Sequence, residues 1–176
     1  MARYHFVTYL RFGAVPKRVW DGLIQVPEWP SWWKWLERVD VMDRGDADGL
    51  GAVFRQCIAT PLFYKLTWQT EIVKRVDPTF IQLDSSGDLQ GVGQFRLRDA
   101  EQGETELSFI WLVETGKRWM NLLAPVGRPV FNYAHDRLMT DFGVGLAAAI
   151  GTDLLAVENV TVEPGADGFY QLPDGD

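Results

Sequence analysis

The chain has 176 residues, 47% of them hydrophobic, and a formal net charge of -7. That length suits one domain with a full core of its own, and an acidic chain with no run of Lys or Arg offers no basic face to nucleic acid. No apolar stretch approaches the roughly 20 residues of a membrane span, and the N-terminus lacks the apolar core of a signal peptide, so a cytoplasmic protein is expected.

Eight Trp and ten Phe exceed what packing alone would need and suit a large apolar interior. The single cysteine, Cys57, cannot form an internal disulfide and reads as a small buried hydrophobe. The only histidines are His5 and His135, with no spacing that suggests a zinc or calcium shell. There is no phosphate loop and no glycine-framed serine nucleophile. No metal and no cofactor are expected.

Tyr4 to Phe12 alternates, with Tyr4, Phe6, Thr8, Leu10 and Phe12 on one parity, which predicts a half-buried strand. Gly13 ends it, and Pro16 opens a short helix with Val19, Trp20 and Leu23 on its apolar side. Trp29, Trp32, Trp33 and Leu36 fall at i, i+3, i+4 and i+7, the stripe of a second short helix running to about Arg38. Trp35 lies off that stripe and is expected at the surface.

From Val39 onward the pattern is strands and turns. Gly51 to Ala59 carries Phe54, Gln56 and Ile58 on one parity. In Leu62 to Val76 the even positions Tyr64, Leu66, Trp68, Thr70, Ile72 and Val76 form the apolar face, and Lys65, Glu71 and Arg75 the wet one. A strand with one wet face belongs to an antiparallel sheet. Two more strands follow, Thr79 to Asp84 and Leu89 to Arg98, the latter with Phe95 and Leu97 inward. Gly91 and Gly93 share that inward parity and predict a bend or room above the sheet. Thr105 to Thr115 places Leu107, Phe109, Trp111 and Val113 on one face.

After Gly116 the period becomes helical. Lys117 to Ile150 predicts one long helix, bent at Pro125, Gly127 and Pro129 and stopped at Gly151. Val130, Phe131, Ala134, Leu138, Phe142 and Leu146 share a broad face, and His135 projects near its centre. Asp136, Arg137 and Asp141 fall on the polar side. Residues 152–176, with a weak strand signal at Val160–Val162, read as an extension packed on the 1–151 domain or on a neighbouring chain.

Strands segregated from helices argue α+β. The expected architecture is a curved antiparallel sheet of about seven strands around a long C-terminal helix, with two short helices after the first strand. One helix is too narrow to fill a strongly curved sheet, so a cavity should lie between them. Its expected lining is Phe54, Gln56, Tyr64, Leu66, Trp68, Thr70, Phe95, Phe109, Trp111, Val130, Phe131, Ala134, His135 and Leu138. Among these His135 is the candidate acid or base, because imidazole transfers protons near neutral pH.

Several segments also resemble the SRPBCC superfamily, which groups START-type lipid-transfer domains, birch-pollen-allergen-like helix-grip proteins and polyketide cyclase/dehydrases. Phe12-Gly13-Ala14-Val15-Pro16-Lys17-Arg18-Val19-Trp20 is similar to its first strand running into the "AP-x-x-V-W" helix, with Val15 before the proline here. Glu28-Trp29-Pro30-Ser31-Trp32-Trp33 resembles its "W-P-x-W-W" helix, and Gly49-Leu50-Gly51 its turn into the third strand. Trp119 to Pro125 and Asn132 to Asp136 resemble the last helix of bacterial members. The resemblance spans about residues 4–150 and implies a helix-grip fold around a cavity.

Members bind lipids, sterols, polyketides or plant hormones, and some cyclise or dehydrate polyketide chains. Catalytic residues differ between subgroups, so none transfers to this chain. The expected function is binding of a hydrophobic small molecule (a lipid, polyketide or aromatic compound) by a monomer or weak homodimer. The alternative is a polyketide cyclase/dehydrase-like enzyme using His135 as acid or base.

Overall fold

The computed structural model describes residues 3–116 and 118–162, with residues 118–128 described by their backbone alone. Strand β1 (Arg3–Phe12) leads into α1 (Pro16–Leu23), a 3-10 turn (Val26–Glu28) and the one-turn helix α2 (Trp29–Trp32). Strands β2 (Leu36–Asp43), β3 (Val53–Ala59), β4 (Lys65–Val76), β5 (Phe80–Gly87), β6 (Leu89–Asp99) and β7 (Thr105–Thr115) follow. The long helix α3 (Arg118–Ile150) and strand β8 (Leu154–Thr161) complete the order.

The eight strands among the described residues form one sheet in the order β2-β3-β4-β5-β6-β7-β1-β8. Every pairing is antiparallel. The fold is α+β, with the sheet curved around α3 as the periodicities predict, in the helix-grip arrangement that the resemblance implies. The extra strand is β8, which pairs with the outer edge of β1 from Phe6↔Thr161 to Phe12↔Leu154. Residues Leu154–Thr161 of the expected extension are thus the edge of the main sheet. Residues from 163 onward, and the side chains of the Trp119 to Pro125 motif with its expected bend, lie outside the described residues.

The predicted alternation is realised in β3 and in the first half of β4, where Phe54, Gln56, Ile58, Leu66, Trp68, Thr70 and Ile72 are all buried. Three boundaries differ from the sequence pattern. The second helix ends at Trp32, and Leu36 opens β2 instead of closing a helical stripe. Strand β4 starts at Lys65, because Phe63 takes φ +62° and the Thr60 N–H donates to the Tyr64 carbonyl at 2.9 Å, closing a turn. A bulge between Ile72 and Lys74 shifts the register. It leaves Val76 exposed and carries the Arg75 guanidinium over the Trp20 ring, 5.5 Å from its centre. An extra residue in one strand exchanges the two faces beyond it.

Helix α3 is held at both ends of its C-terminal half. Gly151 takes φ +65°, as a left-handed helix stop requires. The Arg18 guanidinium donates to the Ile150 carbonyl at 2.8 Å and to that of Gly151 at 3.1 Å. A cation on the last carbonyls suits the helix dipole and ties α3 to α1. Trp35, expected at the surface, instead donates its Nε1–H to Asp141 at 2.6 Å. Asp141 also meets Lys34 at 2.9 Å and Arg137 at 3.2 Å. Burial pushes the Asp141 pKa up, but the Lys34 and Trp35 hydrogen bonds and the Arg137 charge outweigh it and hold the carboxyl below its usual range. Asp141 is therefore a fixed ion pair between α3 and the α2–β2 connection, not a freely solvated side chain.

Candidate cavity between the sheet and the long helix

The inward side chains of the sheet do not meet α3 everywhere. Between them lies a cavity of about 130 Å³. Strand β1 contributes Tyr4 and Phe6, β3 contributes Gln56 and Ile58, and β4 contributes Leu66, Trp68 and Thr70. Phe95 comes from β6, Phe109 and Trp111 from β7, and Tyr64 from the turn before β4. Helix α3 closes the cavity with Phe131, Ala134, His135 and Leu138.

Two residues expected on this wall lie elsewhere. Val130 is 46% exposed, because it sits one residue off the inward stripe of α3. Phe54 lines a smaller void of about 20 Å³ bounded by Leu23, Ile24 and Val26. Gln56, Thr70, Leu83, Trp29 and Phe95 border both spaces and form the partition between them. The sequence reading also missed wall residues. Tyr4 and Phe6 have the right parity in β1, a signal that was legible. Trp29, Trp33, Met139 and Phe142 close one end of the cavity, and only the folded chain places them there.

The wall is built from stacked rings. Phe95 and Phe109 stack at 4.3 Å, and Phe109 and Trp111 at 5.5 Å. Gly93 makes this possible, since a Cβ there would stand 2.7 Å from the Trp111 ring. The room predicted above Gly93 is thus occupied by its cross-strand partner Trp111. Gly91 takes φ +149°, and a Cβ there would collide with the Leu112 carbonyl of β7.

Among the described residues no Lys, Arg, Asp or Glu lines the cavity. Its titratable groups are Tyr4, Tyr64 and His135. Burial pushes the Tyr64 hydroxyl up to about 12, against a smaller opposing effect of its hydrogen bond with Thr60. It stays protonated at neutral pH.

His135 stacks on Phe6 at 3.9 Å with planes 10° apart. Its side chain is 13% exposed, and neither ring nitrogen has a hydrogen-bond partner. Nδ1 stands 3.7 Å from Asp136 Oδ1, beyond hydrogen-bond range. Burial lowers the imidazole pKa below 6.5, and the Asp136 carboxylate offsets this only in part. The ring is neutral at pH 7, one nitrogen a donor and the other an acceptor.

Two further polar atoms of lining residues, Gln56 Oε1 and Trp68 Nε1, are buried out of reach of the cavity and without a partner. No cluster of His, Cys, Asp or Glu able to hold a metal occurs among the described residues, and none of their helices is long and apolar enough to cross a membrane.

No protein-family model matches the sequence, and a comparison with curated proteins finds no match. Solved structures do match. The Zhui aromatase/cyclase from Streptomyces sp. R1128 aligns with TM-score 0.69 at 15% identity, over 85% of this chain and 94% of that one. A START superfamily protein from Mycobacterium smegmatis aligns with TM-score 0.67 at 14% identity, over 84% and 97%. Ara h 8.0201 aligns with TM-score 0.61 at 13% identity, over 85% and 98%. This chain shares their fold. At such identities the likeness is one of architecture, and a shared fold does not fix a function.

Proposed function

We propose that this protein binds a hydrophobic small molecule, aromatic or acyl in character, in the cavity between the sheet and α3. The observation that carries the reading is a cavity of about 130 Å³ in mid-core, walled by aromatic rings and free of charged side chains among the described residues. Apolar voids with a few convergent polar groups are the usual form of ligand sites. The ligand gains from leaving water, and among the described residues nothing on the wall compensates a phosphate or another fixed charge.

A second reading, a polyketide cyclase/dehydrase-like enzyme, has two supports. One is the fold shared with an aromatase/cyclase. The other is a neutral imidazole on the cavity wall. Against it, an acid or base needs a group that orients it, and Asp136 at 3.7 Å provides charge without a hydrogen bond.

The test is a melting-temperature screen of aromatic compounds, fatty acyl compounds, nucleotides and phosphosugars, followed by mass spectrometry of each incubated compound. Aromatic or acyl compounds should raise the melting temperature, since a ligand at 100 times its Kd adds about 2.7 kcal/mol to the folded state. Stabilisation by nucleotides alone would overturn the reading. Recovery of a chemically altered compound would favour the enzyme.

A further inference from the structure

A sheet that wraps a helix has one face toward the core and one toward water. The inner face is covered by α1, α2 and α3, whose apolar side chains join Phe6, Phe95 and Phe109 in one core. On the outer side of β4, Lys65, Thr67 and Glu71 are exposed, as expected. Elsewhere the same face is dry. Val7, Ile110 and Gln94 are only 8%, 8% and 2% exposed. Val7 follows the inward Phe6 and so points away from α3. It pairs with Ile110, and Ile110 with Gln94, and directly paired residues share a face. Neither Val7 nor Ile110 belongs to the inner core.

The row continues on both sides. Val7 pairs with Val160 of β8, Gln94 with Gln82, and Gln82 with Lys74. Gln94 accepts from Arg96 at 3.0 Å and donates to Gln82 at 3.1 Å. Lys74 and Arg96 both stand over the Phe80 ring, at 5.3 and 5.2 Å from its centre. From β8 to β4 the outer face thus runs from apolar through amide to cationic.

The sequence after β8 has the same order in complementary chemistry. The Val162 N–H donates to the His5 carbonyl at 2.9 Å, so the ladder delivers residue 163 beside β1, near Val7. Pro164 cannot donate to a continued ladder, and Gly165 tolerates a turn. Phe169, Tyr170 and Leu172 follow, and then Asp174 and Asp176. Residues 163–176 have a fully extended reach of about 45 Å. Crossing the sheet from β8 to β4 takes only about 24 Å at the usual strand spacing.

We propose that residues 163–176 fold back across the outer face of their own sheet. Phe169, Tyr170 and Leu172 cover Val7 and Ile110, and Asp174 and Asp176 lie toward Arg96 and Lys74. Apolar burial drives the contact, and opposite charge sets its direction. A segment tethered at Val162 meets this face at an effective concentration far above that of a second molecule.

The test is methyl–aromatic NOE spectroscopy on the intact protein at pH 7, repeated on a mixture of labelled and unlabelled chains with a filter that passes only contacts between molecules. The Val7 or Ile110 methyls should show contacts to the Phe169 or Tyr170 ring, and these should vanish in the filtered spectrum. A variant carrying Phe169→Ser and Leu172→Ser should melt roughly 5 °C lower. A variant carrying Asp174→Asn and Asp176→Asn should melt slightly lower at low salt and equal the intact protein in 1 M NaCl, where surface charge is screened. Absence of the contacts overturns the proposal, as does an unchanged melting temperature for the serine variant. Contacts that persist in the filtered spectrum also overturn it, since a second copy would then cover this face.

Discussion

The two halves of the described part of α3 meet the sheet differently. Toward its C-terminus the helix lies close. A Cβ on Gly143 would stand 2.7 Å from Leu10 Cδ2, and one on Gly145 would meet the Trp32 carbonyl and stand 2.9 Å from Trp32 Cε3. Phe142 there is 1% exposed and touches the rings of Trp29, Trp32 and Trp33 at 5.4, 5.4 and 5.1 Å. Toward Phe131 the helix carries larger residues against larger residues. Phe131 meets Tyr4 and Tyr64 edge-on at 5.9 and 6.5 Å, and the cavity opens beside them. One helix thus borders both a dense core and a cavity, and the glycines at 143 and 145 fall in the dense half. Interiors pack like crystals only where shapes allow.

Truncation should break this comparison most visibly. Phe142→Ala removes the ring from the dense half and should cost about 4 kcal/mol of unfolding free energy. Phe131→Ala should cost about half of that, because its ring is 9% exposed whereas that of Phe142, which also reaches the cavity, is 1% exposed and packed among three indoles. Urea unfolding of both variants checks this, and equal losses would mean that the two halves are equally packed.

Enlargement should act with opposite consequences at the two ends. Gly145→Val forces side-chain atoms against the Trp32 backbone and should cost about 3 kcal/mol. Ala134→Leu points extra carbons into the cavity and should change stability by less than about 1 kcal/mol while weakening any cavity ligand at least tenfold. Paired melting and binding measurements test it. A strongly destabilised Ala134→Leu would show that the space beside α3 is already filled.

The smallest expected effect is a pH dependence. His135 has a folded pKa lowered by burial, so the unfolded chain takes up the proton first as pH falls. Stability is therefore intact above pH about 6.5 and declines below it, by at most about 1.4 kcal/mol per pH unit for one group. His5 is lowered by burial as well and adds a contribution of the same sign. His135→Gln should flatten the fall between pH 6.5 and 5 without abolishing it, as read from denaturant midpoints at stepped pH. An unchanged slope would show that His135 is already solvated in the folded state.

Much of this architecture is written locally. The parity of Leu66, Trp68, Thr70 and Ile72 fixes which face of β4 is buried, and the apolar stripe of α3 aims Ala134 and His135 at the sheet. Both follow from periods of two and 3.6, which depend on the backbone alone. Element order and the α+β class follow from the same patterns.

What the sequence could not fix depends on partners distant along the chain. Strand β8 reads weakly because it is an edge strand. Its register on β1 also shifts at Arg11/Phe12, which breaks the alternation. Trp35 is half-buried and held by Asp141, far along the chain, which comes within 2.6 Å of its indole nitrogen. The bulge after Ile72 turns Arg75 toward Trp20 through a mismatch with β5 that β4 itself does not encode. The same holds at the cavity. Inward parity identifies Gln56 and Trp68 as wall residues, but only the assembled sheet and helix decide that their polar atoms are left without a protein partner. Hydrogen-bond satisfaction is a property of the whole packed neighbourhood, whereas parity is a property of one strand.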